Sequence, residues 1–80
     1  MKLFVNARFL TQNMTGVQRY AIELCRQLKK LYGNKIIFVC PRNVINHEVF
    51  EEFDALIIGK HTGHLWEQWD LPRYLKKQGS

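Results

Sequence analysis

Apolar residues fall along this chain in blocks whose period changes. Leu3, Phe4 and Val5 form a short apolar run that extends toward Ala7 and then gives way to a polar loop, which predicts a first strand. From Val17 the spacing becomes three and four. Val17, Tyr20, Ala21, Leu24, Leu28 and Leu31 mark one stripe of an amphipathic helix, with Cys25 and Tyr32 at its margin. Thr15 stands where a helix N-cap belongs, and Gly33-Asn34 supplies a stop. Ile36 to Cys40 is continuously apolar and β-branched, the pattern of a strand buried on both faces in a parallel sheet, and Pro41 ends it. Asn46 to Phe53 reads as a short helix capped by Asn46, with Glu48 in its first turn. Ala55 to Ile58 reads as a third buried strand closed by Gly59. Leu65 to Gly79 is helical in pattern, with Pro72 either kinking it or starting a second helix capped by Asp70.

Strands alternating with helices imply βαβ units and right-handed crossovers. The predicted fold class is therefore α/β: a partial Rossmann-like, three-stranded parallel sheet with flanking helices, an incomplete N-terminal half-domain. In the usual order of such a half, the first strand lies between the second and a fourth. No fourth strand is present, so the first strand is an exposed edge, and unpaired edges recruit partners. The sequence implies either the start of a larger protein or a chain that completes its sheet by self-association, giving a homo-oligomer through the first strand.

Eighty residues allow one compact unit, and a hydrophobic share of 46% is that of a folded protein. No run of 18 apolar residues exists to span a membrane. The opening MKLFVNARFL is interrupted by Asn6 and Arg8 and has no small-residue cleavage pattern, so it reads as mature protein. Cys25 and Cys40 are far apart and outside any CxxC spacing, which makes them small core residues. The net charge of +5 raises the question of phosphate or anionic lipid partners. The cations are scattered, however: Arg26, Lys29 and Lys30 on one helix, Lys76 and Lys77 near the end. No RNA-binding aromatic motif, zinc-finger spacing or helix-turn-helix pattern points to nucleic acid.

In open α/β sheets, ligands sit beyond the carboxyl ends of the strands. Three loops reach that side: Arg8 to Gly16, Pro41 to Asn46, and Gly59 to Leu65. Gly16 opens the first helix, where backbone can approach an anion, but on composition alone a cap-and-turn glycine is the better explanation. The G-x-G-x-x-G pattern is absent, which excludes a nicotinamide or flavin site here and leaves no cofactor to assign. His61 and His64 share a loop and His47 stands apart, too sparse a set for a metal site. Trp66 and Trp69, three apart, can share a helix face and suit packing. Arg8 ends the first strand, placed to bind an anion or to pair with Glu67 or Asp70. No Ser-His-Asp or Cys-His arrangement is defensible.

The stretch FVNARFLTQNMTGVQRYAIELCRQL is similar to the opening of family-4 retaining glycosyltransferases of the glycosyltransferase-B fold. Members commonly begin with a strand ending in an Asp-Ala-Arg-like tripeptide, followed by Thr-Gly-(Ile/Val)-x-Arg-Tyr at the first helix. The matching residues are Asn6, Ala7 and Arg8, then Thr15, Gly16, Val17, Arg19 and Tyr20. LWEQWDLPRYLKKQG resembles the family's Trp-Glu-Gln…Leu-Pro segment, and the likeness runs along essentially all 80 residues. Asn6 stands where an acid is commoner, and a single glycine stands where many relatives have two.

The resemblance implies two Rossmann-like domains around a cleft, with residues 1–80 a single fragment of the N-terminal one. It implies transfer of a sugar, with retention, from a nucleotide-sugar donor to a glycan or lipid-linked acceptor, from the cytoplasmic side and sometimes at the membrane surface. Thr15, Gly16 and Val17 would lie at the donor diphosphate, and Arg8, His61 and His64 would line the acceptor cleft. The family's donor-binding glutamate pair lies past residue 80, so no catalytic residue is assigned and the isolated chain is expected to be inactive. The rival reading is a small non-enzymatic α/β module whose basic helix faces dock phosphates or anionic lipid. A flavodoxin-like or response-regulator fold lacks support, because no acidic cluster follows the first strand to hold Mg²⁺.

Overall fold

The computed structural model describes residues 2–79. A parallel three-stranded sheet in the order β1-β2-β3 is built from β1 (Leu3–Asn6), β2 (Ile36–Cys40) and β3 (Leu56–Ile57). Leu3 pairs with Ile36 and Asn6 with Val39, while Val39 pairs with Leu56 and Cys40 with Ile57. Helix α1 (Gly16–Tyr32) joins β1 to β2, and α2 (His47–Glu52) joins β2 to β3. The chain then runs through α3 (Gly63–Leu65), one π turn (Trp66–Asp70) and α4 (Leu71–Lys77).

Side-chain alternation along the strands sorts the interior into two faces. On one, Leu3, Val5, Ile36, Phe38 and Cys40 pack with Ile22 and Cys25 of α1 and with Val49 and Phe53. Phe38 and Phe53 stack with ring centres 4.6 Å apart. On the other, Phe4 meets Tyr74 of α4 edge-on at 5.7 Å. Val39 has the same parity, and it and Trp66 are fully buried. Helices thus cover both faces, as a parallel sheet requires. Both cysteines are buried and free, and burial raises their thiol pKa values, that of Cys40 to about 11. None of the described helices is long and apolar enough to cross a membrane.

Four local expectations need correction. The stripe of Val17, Tyr20, Leu24 and Leu31 does not pack on the sheet. Val17 and Leu31 are about three-quarters exposed, and the contact row is Ile22 and Cys25 with Leu28 beside it. Burial of Ile22 and Cys25 in the core sets the rotation of the helix, and Arg26 is placed to suit it: it grips Glu52 of α2 with Nε–Oε2 at 2.6 Å and Nη2–Oε1 at 2.8 Å. Residues 24 and 26 project about 200° apart on a helix, so with Arg26 toward α2, Leu24 faces away from it. The Arg26 pair holds the Glu52 carboxyl below its ordinary range. The third strand is two residues long and lies at one edge of the described sheet, so Leu56 and Ile57 are half exposed; Ala55 alone of that stretch is well buried.

Finally, Asp70 is no helix cap. It has helical backbone angles, and its side chain accepts no bond from the helix that follows. The π turn before Pro72 provides the physical reason. A proline donates no backbone hydrogen bond, and a widened turn absorbs the gap without breaking the helix. The same turn separates Trp66, buried, from Trp69, 59% exposed, so the two tryptophans do not share a face.

Candidate functional site

The loops after the three strands carry three groups of polar residues. The first is the start of α1. Thr15 has extended backbone, and the Gln18 side-chain oxygen accepts from the Thr15 N–H at 3.1 Å and also from its hydroxyl. Gln18 Nε2 donates to Gln12 at 2.9 Å, which ties the loop to the helix. Gly16 is exposed, its φ is not positive, and a Cβ built on it meets nothing within 4 Å. Nothing in the fold demands glycine there. Val17 beside it is 75% exposed. The neighbouring hollow of about 230 Å³ is lined by Gln12, Asn13, Met14, Ile45 and Asn46, none of them a cation.

The second group joins the end of β1 to the π turn. Arg8 Nη1 lies 2.8 Å from Glu67 Oε1, both side chains being partly buried. Asn6 Nδ2 donates to the other Glu67 oxygen at 2.9 Å, and Asn6 Oδ1 accepts from the Arg8 N–H at 3.0 Å. Of the two partners open to Arg8, the structure selects Glu67. It also gives Asn6 a reason: an amide donates to Glu67, whereas an acid would repel it.

The third group closes the loop after β3. Asp70 Oδ2 accepts from the His61 N–H at 2.7 Å and from the Lys60 N–H at 3.1 Å, and His61 Nδ1 lies 3.1 Å from both carboxylate oxygens. The backbone bond from His61 holds the Asp70 carboxyl below the usual aspartate range; partial burial opposes this, and the His61 ring and Lys60 N–H reinforce it. Gly59 has φ +77°, and a Cβ on it would fall 2.4 Å from Asp70. Trp66 Nε1 donates to the Ile58 carbonyl at 2.9 Å, and Arg42 Nε to the Lys60 carbonyl at 3.1 Å.

The residues expected to form a site are thus distributed over these groups. Thr15, Gly16 and Val17 stand together at the helix start. Arg8 is committed to Glu67, His61 to Asp70, and His64 is exposed on α3. No hydrogen bond or ion pair among the described residues joins the 15–17 turn to Arg8, His61 or His64. The described residues also hold no cluster of three or more metal-ligating side chains. The roles of Gln18, Asp70 and Gly59 escaped the sequence reading. Thr15-x-x-Gln18 is a recognisable capping pair, but the Asp70 clamp spans a loop and a π turn and leaves no periodic signal. Comparison with protein-family models, with curated proteins and with solved structures returns no match.

Proposed function

We propose that this chain is the N-terminal part of a retaining glycosyltransferase of family 4, folded as the opening half of a Rossmann-like domain. In that reading the parent protein transfers a sugar from a nucleotide-sugar donor to a glycan or lipid-linked acceptor. The order of the motifs supports it: Asn6-Ala7-Arg8 ends the first strand, Thr15-Gly16-Val17 begins the long first helix, and Trp66-Glu67-Gln68 leads into Leu71-Pro72.

One observation carries the reading furthest. Gly16 heads a 17-residue helix in open space, at a position where an added Cβ meets nothing within 4 Å. Free N–H groups at a helix start attract phosphate oxygens, and the absent side chain leaves the backbone approachable. Arg8, fixed by Glu67, serves as a wall of the acceptor side rather than as a free anion ligand. The rival module reading loses its α1 face, because Arg26 is engaged with Glu52 and Lys29 donates to the Glu52 carbonyl.

The test is Gly16→Val in the parent protein. The donor KM is expected to rise about tenfold or more, the equivalent of losing ~1.4 kcal/mol of binding, while the melting temperature stays put. An unchanged KM contradicts a role for this turn in holding the donor. The 80-residue chain alone is expected to show no transfer.

A further inference from the structure

A cleft of about 460 Å³ lies between the loop after β3 and α4, walled by Lys60, His61, Asp70, Arg73, Tyr74 and Lys77. Lys60 comes from the loop; Arg73 and Lys77, four apart, come from one face of α4. Among the described residues, none of these three cations has an ion-pair partner; the pairs are Arg8–Glu67, Arg26 with Glu23 and Glu52, and His61–Asp70. The one carboxylate in the wall, Asp70, is 10% exposed and has its Oδ2 taken up by two backbone N–H groups and the His61 ring; its single negative charge against three cations leaves the cleft net positive. The walls are held in place. Tyr74 is backed by Phe4, the loop is fastened by Asp70, and Arg42 holds the Lys60 carbonyl.

We propose that this cleft binds the phosphate group of a phosphorylated compound, with Lys60, Arg73 and Lys77 as its ligands and the Tyr74 hydroxyl as a further donor. Three positive side chains that line one cleft from two elements match a dianion better than a single carboxylate. The guanidinium of Arg73 can grip two phosphate oxygens at once. The volume suits a small molecule or a headgroup. This proposal does not rest on the transferase reading, whose donor turn at Gly16 lies on another element and has no cation in its hollow.

The test uses the 80-residue chain, NMR-labelled with ¹⁵N, titrated with sodium pyrophosphate at constant ionic strength. Cosedimentation with vesicles of phosphatidylglycerol and phosphatidylcholine runs in parallel. The wild type is compared with Arg73→Gln/Lys77→Gln and with Lys30→Gln/Lys35→Gln, which removes the same charge from elsewhere on the surface. Saturable shifts confined to residues 58–61 and 73–77 are expected, with affinity falling at least tenfold in the first variant and less than twofold in the second. Vesicle binding lost only in the first variant assigns the phosphate to a lipid headgroup, and no vesicle binding assigns it to a soluble ester. Shifts that do not saturate, that spread over the whole basic surface, or that weaken equally in both variants overturn the site. Amide dispersion in each spectrum reports that the variant is folded.

Discussion

Two glycines show how differently one residue type is used in this chain. Gly16 has open space around it, whereas Gly59 combines a left-handed backbone with a Cβ position occupied by Asp70. Gly59→Ala therefore forces both an unfavourable φ and a steric clash. It should lower stability by about 2–3 kcal/mol in urea unfolding; an unchanged midpoint would show that the loop shifts freely. Asp70 belongs to the same clamp. Its pKa is lower in the folded state than in the unfolded chain, so its contribution is complete above the unfolded value of ~3.9 and fades as pH falls through the depressed folded value. Wild-type stability should drop on acidification in that window, and Asp70→Asn should flatten part of the drop. Equal acid sensitivity in the two proteins would remove Asp70 from this role. The sequence shows a glycine and an aspartate eleven residues apart, with nothing to pair them. The candidate donor turn, by contrast, is legible as Thr-Gly-Val at a change of period.

At the scale of elements, the sequence is most informative where local and tertiary forces agree. The central strand Ile36–Cys40 appears with the bounds its continuous apolar run predicts, because burial on both faces selects against polar residues at every position. Asn46 caps α2 by accepting from the Val49 N–H at 3.3 Å, and Gly33 ends α1 with φ +56°, both as anticipated from residue type. Helix α1 misleads because it has two apolar rows. Periodicity finds the longer one, through Val17, Tyr20, Leu24 and Leu31, but the sheet takes the shorter one, through Ile22 and Cys25. Packing against the sheet and α2 decides between them, and that is a tertiary fact. The π turn is equally hidden: Pro72 announces a disturbance without saying that the helix will widen rather than bend or restart.

The whole molecule has a consistent asymmetry. The exposed row of α1 turns away from the sheet contact made by Ile22 and Cys25, and the outer edge of β1 has no described strand beside it. Open strand edges and exposed apolar helix faces are both surfaces that recruit partners. We propose that in the parent protein the partners come from the continuation of the same chain, and that the 80 residues alone use a second copy. Size-exclusion chromatography with light scattering should give a dimer or larger, reduced to monomer by Leu24→Glu with Leu31→Glu; a monomeric wild type contradicts the exposed-edge argument. The central claim, that this chain opens a two-domain sugar transferase, is tested most directly by reading the gene past the codon for Ser80. An open frame of several hundred codons is expected. That frame should add strands to this sheet and encode a second α/β half with a Glu-x₇-Glu pair. A stop codon directly after Ser80 would contradict it.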